Sequence, residues 1–570
     1  MSFRKHIVAA LIVMAAGPHM LFAQAENVPV SNPVYSFLKR MEVKGIIERY
    51  HDAILPLSRR EVAEFLKTID QSRDKLTGAE RGWVSRYLTE FQYDATGSIA
   101  GVNSLISSST DEMTSGFDRF FANTGKYLYA YRDTNLTFFV SGLLTLDARA
   151  ITGDALGATH AEFVQGGGRI RGTIYQHLGY YLEATNAQFW GSRDLLNRDP
   201  VIRQTETIGA TDAQNFDMAE GHIRYDGGII SAEVGMERVL WGTGYDQKMI
   251  MSDNVRPFPF IRTDFQFGAI KYTFMHAWLL GRPRPWTDFV SPDSAMNLKG
   301  PHIADKYIAA HRIEFSFPRL FDVGFQEMVV YSNRSPDLAY MVPFMLLESA
   351  QRNQGERDNG LWSFDIRTHF TRGLELSGTI LFDDLHLADF FKNRFYNKNA
   401  YQLGFFLTDP LLFHNTNLLV EWTRVDPFVF SHDYSIEDNY TSYGAPLGPR
   451  IAPNSESWFI RGDVLPSHDL TLSLRFFSEQ HGDNVYDASG NLILNVGGDI
   501  EQGHRATDPI GVEFLNGHMV KTQQIQFLVT YEVAYQLWLD GWFQYDRTDS
   551  GGTNAVTHNS TFGARLRTEF

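Results

Sequence analysis

The chain has no cysteine, which removes disulfides, thiolate metal centres and a lipidated amino-terminal cysteine from consideration. Beyond the amino terminus no apolar run approaches the roughly 18 residues a membrane helix needs, so a helical membrane protein is excluded. A transmembrane barrel is not, because its strands need only alternate. Net basic charge is missing too. With 67 acidic and 51 basic residues the formal charge is -16, which argues against a nucleic-acid partner. The 18 histidines form no HExxH, and there is no GxSxG elbow, so no hydrolase motif is present and no enzyme is expected. Asp383, Asp384 and His386 imitate a metal site but lack a third ligand at suitable spacing; a solvated rim accounts for them, and no metal or cofactor is expected. Internal repeats and low-complexity tracts are also absent.

What is abundant is aromatic. The 43 Phe, 25 Tyr and 10 Trp accompany a mean hydropathy of only -0.25, which implies surfaces apolar on alternate residues. At the amino terminus, Arg4, Lys5 and His6 precede an apolar run from Ile7 to Ala16, and Ala23-Gln24-Ala25 offers a small-x-small cleavage site. Residues 1–25 therefore read as a signal peptide, and the mature chain as exported. Residues 26–91 carry helical spacing with three starts: Asn32 before Pro33, Ser58 with Glu61, and Thr77 with Glu80. Such short helices make a small bundle that must lean on something larger. Residues 92–134 have no clear pattern beyond a short strand near Tyr127 to Tyr131.

From residue 135 to 570 the period is two. Leu374, Leu376, Ile380 and Phe382 oppose Glu375, Ser377, Thr379 and Asp383; Leu470, Leu472, Leu474 and Phe476 oppose Thr471, Ser473 and Arg475. In the last stretch Phe562, Ala564, Leu566, Thr568 and Phe570 face one way, and Gly563, Arg565, Arg567 and Glu569 the other. A terminal Phe on such a strand resembles the signal read by the barrel-assembly machinery. Short connections, near 177–178, 227–228, 268–269, 319–320, 373, 409–415, 466–468 and 534–536, alternate with long ones, near 151–162, 191–215, 240–259, 282–305, 332–362, 384–398, 426–456, 479–521 and 548–559. Regular alternation of this kind predicts an all-β transmembrane antiparallel barrel of about eighteen strands with a small periplasmic helical bundle. Both termini are then periplasmic, the long loops extracellular, and the terminal strand closes against the one starting at Asn135. A monomer is expected, with outer-membrane lipid and lipopolysaccharide as neighbours.

Three stretches carry a family resemblance: VPVSNPVYSFLKRMEVKGII with PLSRREVAEFL at the mature amino terminus, GMERVLWGTGYDQKMIMSDNVRPFPFI over residues 235–261, and EWTRVDPF through NYTSYGAPLGPRIAPNSESWF over 421–459. They resemble the Wzi family of capsule-assembly outer-membrane proteins. The resemblance implies a periplasmic bundle on a large barrel, and a lectin-like anchor for capsular or other surface polysaccharide rather than an enzyme. A porin or substrate-specific channel is the alternative. One departure is Ile451-Ala452-Pro453 after Gly448-Pro449-Arg450, where the family pattern leads one to expect a second Gly-Pro pair.

The two longer motifs fall in long connections. Sugar recognition uses flat aromatic faces and planar polar groups, and these segments supply Trp241, Tyr245, Asp253, Arg256, Tyr434, Tyr440 and Arg450. Trp286 beside Arg282 and Arg284, and Arg394 with Tyr396 between Lys392 and Lys398, add local positive charge that an acidic polymer would need. A second reading stands beside this one. Trp241-Gly242-Thr243-Gly244 and Arg256-Pro257-Phe258-Pro259 can fold inward and fill the lumen, and rim cations can serve lipopolysaccharide phosphates.

Overall fold

The computed structural model describes residues 24–100, 102–104, 124–205, 214–288, 300–355, 357–384, 392–433, 435–551 and 556–570. The expected signal peptide lies outside the described residues, apart from Gln24 and Ala25. Helices α1 (Val34–Val43), α2 (Arg59–Asp70) and α3 (Gly78–Glu90) start where the sequence signals place them, and a short α4 (Gln92–Thr96) follows in a stretch that carries no helix signal in the sequence. The Asn32 side chain accepts the Val34 N–H at 2.9 Å. Ser58 with Glu61 and Thr77 with Glu80 both complete reciprocal capping boxes, each stabilising its helix by about 1 kcal/mol. Val34, Leu38, Met41, Val62, Leu66, Val84 and Phe91 meet in the bundle core.

The remainder is a barrel. Its strands run β1 (Thr137–Gly153), β2 (Thr159–Ile174), β3 (Leu178–Gly191), β4 (Gln214–Asp226), β5 (Ile230–Glu237) and β6 (Phe258–Phe267). Next come β7 (Ile270–Leu280), β8 (Asp305–Phe317), β9 (Phe321–Ser332), β10 (Asn359–Thr368), β11 (Leu374–Asp384) and β12 (Lys398–Thr408). The last are β13 (Thr416–Val425), β14 (Ser455–Val464), β15 (Leu470–Asp483), β16 (His518–Ala534), β17 (Leu537–Asp549) and β18 (Val556–Glu569). These 18 strands close antiparallel. The seam pairs β18 with β1, Phe562 opposite Ala150 and Arg565 opposite Asp147. Phe570 extends it, its N–H donating to the Gly142 carbonyl at 3.0 Å. A Cβ on Gly142 would stand 2.9 Å from the Phe570 ring, so glycine is what lets the terminal aromatic lie flat on β1.

Side-chain alternation sorts the wall as expected. Leu182, Ile223, Val234, Leu376, Leu403, Leu474 and Phe562 point outward and exposed, as a lipid-facing surface requires. Tyr175, Tyr225, Phe267, Phe317, Phe370 and Phe413 ring the short-turn end. The predicted short connections are all found, and long ones alternate with them, with two corrections: the connection between β17 and β18 spans only 550–555, and the first one is shorter too. Between β1 and β2 the chain turns in residues 154–158, because these strands run 17 and 16 residues and rise past their neighbours.

The bundle does more than lean on the barrel. It stoppers the short-turn end from inside. Arg40 pairs with Asp409 at 2.7 Å, Arg86 with Glu532 at 2.5 Å, and Glu26 with Arg171 at 2.9 Å. The Trp83 indole N–H donates to the His468 carbonyl at 2.7 Å. Asn27 donates to Glu233 and Glu237 at 2.9 and 2.8 Å, deep against the inner wall.

Residues 333–355, expected among the outer loops, take an unforeseen course. They fold back along the outside of the barrel as a strap containing helix α5 (Leu347–Asn353). Tyr340, Leu347 and Ala350 pack on outward-facing Tyr307, Ala309, Val329 and Tyr331. Phe344 lies on Phe265 and Tyr272, with ring centroids 5.1 and 5.2 Å away. The Glu327 carboxylate accepts the Leu347 and Glu348 N–H groups at 2.9 and 2.6 Å and pairs with His311 at 2.9 Å. The strap thus covers a polar patch that bare strands could not show to lipid.

Candidate functional site

Connection 238–257 turns inward. Leu240–Trp241 forms a two-residue ladder with Ile54–Leu55 of the amino-terminal segment, so plug and bundle meet inside the barrel. Trp241 is fully buried and its indole donates to the Gln326 side chain at 2.8 Å. Gly242, at φ 130°, turns the chain there, and its N–H donates to the Ala53 carbonyl at 2.7 Å. Thr243 and Thr379 share a hydroxyl hydrogen bond of 2.9 Å. The Glu421 carboxylate then gathers the N–H groups of Tyr245, Asp246 and Gln247 at 2.5, 3.4 and 3.3 Å. Three successive amides converging on one lumen-facing carboxylate are what hold an irregular loop inside a barrel.

The two long motifs lock onto each other. Ser252 N–H donates to the Leu447 carbonyl at 2.7 Å, the Asn254 side chain to Gly448 at 2.7 Å, and Arg450 N–H to the Gln247 side chain at 2.8 Å. Arg450 also pairs with Asp246 at 2.5 Å and lies over the Phe477 ring at 4.5 Å. Burial pushes Asp246 up, against the pull of Arg450, and pushes Lys248 down to about 8, with Lys39 repelling it further. Trp241, Met249, Ile250, Phe260, Met275, Ile308, Met328 and Leu361 form one apolar core between plug and wall.

The candidate residues divide accordingly. Trp241 and Tyr440 have no exposed surface and belong to that core, Tyr440 stacked on Phe430. The inward fold leaves both rings, expected as sugar contacts, without solvent-accessible surface. Tyr245 reaches down the lumen and donates to Glu375 at 2.7 Å. Asp253 is exposed, and Arg256 is half-buried over the Tyr443 ring at 4.6 Å. Tyr443 is not among the site residues the sequence singled out; its φ of 53°, beside Gly444 in a tight hairpin, sets the ring under that guanidinium. Arg282 pairs with Glu501 close to the same hairpin. Arg394 and Tyr396 lie in a separate group, where Phe395 stacks on His504 and Arg394 bridges to Gly511. Trp286 opens a short helical turn, Trp286–Asp288, and Tyr434 lies outside the described residues.

The opposite half of the lumen is polar. Arg149 and Arg565 flank Trp542 at 5.8 and 5.6 Å, and both bind Asp147, at 2.7 and 2.8 Å. Arg567 lies over Trp538 at 5.2 Å and pairs with Asp540 at 2.9 Å. Gln526 donates to Gln544 at 3.1 Å. Arg565 and Arg567 keep 34% and 37% of their side-chain surface accessible, whereas Trp241, Met249 and Ile250 of the plug keep none.

A sequence profile of the family described as capsule assembly protein Wzi matches residues 119–546. The chain belongs to this family. Among solved structures, Wzi of Escherichia coli, described as an outer membrane protein involved in group 1 capsule assembly and a carbohydrate-binding β-barrel, aligns with a TM-score of 0.53 at 13% identity. The alignment covers 95% of this chain and 99% of that one, so the fold is shared from bundle to barrel. OpdK of Pseudomonas aeruginosa, solved with vanillate, aligns at TM-score 0.42 and 9% identity over 76% and 99% of the two chains. OprD of the same organism gives 0.40 and 11% over 76% and 94%. Comparison with curated protein sequences finds no match. This Wzi-family chain is therefore an outer-membrane β-barrel of capsule assembly.

Proposed function

We propose that the protein holds a surface polysaccharide at the outer face of the membrane as a lectin-like anchor, with the short-turn end and its bundle in the periplasm and the long loops extracellular. The observation that carries this is the mutual lock of connections 238–257 and 426–454. It spends the most unusual sequence of the chain on filling the lumen, and leaves the long-loop end as a built surface. Asp253, Arg256, Tyr443 and Arg282 from three connections then make a platform with an aromatic face, guanidinium forks and a carboxylate, the groups that bind sugar rings and acidic substituents. Arg394 and Tyr396 offer a second patch. Deleting the gene releases polymer into the medium while synthesis continues, and the Arg256→Ala, Tyr443→Ala double variant reproduces much of that release with normal barrel assembly. Unchanged surface-bound polymer in the deletion strain overturns the reading.

Processing belongs to the same proposal. Gln24 and Ala25 are buried against the inner wall, Ala25 N–H donating to the Thr173 hydroxyl at 3.3 Å, so a cut before Gln24 rather than after Ala25 keeps these contacts. Amino-terminal sequencing of the mature protein distinguishes the two.

A further inference from the structure

At the short-turn end, where α1 meets the barrel, three ligand-bearing groups from three elements converge. Glu42 comes from the last turn of α1, Asp322 from the start of β9, and His369 from the turn between β10 and β11. One ligand atom of each lies within 4.8 Å of the others. His369 Nε2 is 2.9 Å from an Asp322 oxygen. Glu42 and Asp322 are 5% and 4% exposed, and one Glu42 oxygen is buried with no hydrogen-bond partner, while the other takes Lys39 at 2.7 Å. An unpartnered carboxylate oxygen in a dry place is costly to the fold. A cavity of about 130 Å³ opens beside it, lined by Glu42 and His369 and reaching the short-turn surface past Glu48 and Arg319.

Charge counting points the same way. The surrounding network holds four carboxylates, Glu42, Asp52, Asp322 and Glu375, against two permanent cations, Lys39 and Arg367. With a neutral imidazole at His369 the cluster carries two uncompensated negative charges in a buried setting. One divalent cation, or two protons, brings it to zero. One imidazole nitrogen with two carboxylates is a donor set for a first-row divalent ion of the zinc class rather than for calcium or magnesium, which take oxygen. Lys39 and Arg367, already bound to the carboxylates, hold them in place as outer partners. Arg49, Arg319 and Arg372 at the mouth raise the energy of a loosely held cation, so a chelated one alone competes there.

We propose that Glu42, Asp322 and His369 form a divalent transition-metal site that staples the bundle to the barrel. The ion lies between His369 Nε2 and Asp322, the imidazole proton moves to Nδ1 on the side of Glu375, 3.9 Å away, and the free Glu42 oxygen completes the protein ligands. Because α1 supplies one ligand and the barrel two, occupancy couples seating of the stopper to metal availability at that end.

The test uses the full-length protein in detergent with Zn²⁺ as probe. Equilibrium dialysis with metal analysis gives one ion per chain, and X-ray absorption at the zinc edge gives one imidazole with two carboxylates. His369→Gln and Glu42→Gln each weaken binding at least tenfold. Both keep a hydrogen-bonding side chain, and an unchanged heat-modifiable barrel band on gels certifies their folding. Protease cleavage in the connection 44–58 rises when the wild type is stripped with chelator, and does not change on stripping in the variants. Failure to retain zinc, or equal retention by wild type and both variants, overturns the proposal and leaves two protons as the neutralising species.

Discussion

The two halves of the lumen are built from the same alternating strands yet finished in opposite ways. Across β6 to β13 the inner wall is dry: Trp241, Met249 and Ile250 of the plug meet Phe260, Met275, Ile308 and Met328, Glu421 holds the plug amides, and the buried charges pair with one another, Arg312 with Glu314 and Arg262 with Glu233. Across β14 to β18 and β1 to β3 the wall is wet, with Arg149, Arg565, Arg567, Gln526 and Gln544 bracing one another around Trp538 and Trp542. The difference teaches that inward-facing composition is set by what lies opposite. A wall that meets a loop adds apolar area and buried acceptors to its own fully buried ion pairs, whereas a wall that meets water leaves its paired charges partly accessible.

The comparison breaks most severely if the plug is removed. Excising residues 242–250 leaves the dry half without its filling, and stepwise conductance in planar bilayers should exceed that of the intact protein many-fold. If both forms conduct alike, the plug is not what closes the lumen. Next, Trp241→Ala should lower stability by about 3–5 kcal/mol, since it empties a buried indole site. The matched Trp542→Ala should cost about 1 kcal/mol or less, because that ring already touches water. Chemical denaturation in detergent separates the two, and equal losses erase the distinction between the halves. Glu421→Ala strands three plug amides without an acceptor, an expected loss of about 1–3 kcal/mol, seen as faster proteolysis near Lys248.

The smallest effect is one of pH. Burial, with Lys398 nearby, holds the His432 imidazole down to about 4 from 6.5. The unfolded chain takes up that proton first, so the stabilisation is present above about 6.5 and is lost as pH falls towards 4. On the same loop burial raises Asp438 to about 6, which acts in the opposite direction over part of that window. Subtracting the profile of His432→Gln from the wild type isolates the histidine. Melting temperatures between pH 4 and 7 should diverge towards the neutral end, and parallel curves would show the imidazole already charged in the fold.

Much was legible in advance. Ser58, Thr77 and Asn32 marked helix starts because a cap is a contact over three residues. Strand count and the closing pair followed from the period of two and from loop-length parity, both readable without distant information. The strap was not legible. His311 and Glu327 stand on outward positions where a lipid-facing strand forbids them, and only the returning chain at Leu347 explains their presence. Trp241 and Tyr440 had the composition of sugar contacts, and composition does not say which way a long connection folds. Arg256 and Tyr443 are 187 positions apart by number, and no local signal joins them.

By itself, then, the sequence determined the exported barrel, its 18-strand class and its capped bundle, because side-chain period, capping and turn length act over a few neighbouring residues. Tertiary structure alone decided where the long connections go: inward onto Glu421, outward over His311 and Glu327, or up to the platform at Arg256. Those choices depend on burial and hydrogen-bond satisfaction between segments hundreds of residues apart, and that balance exists only once the barrel has closed.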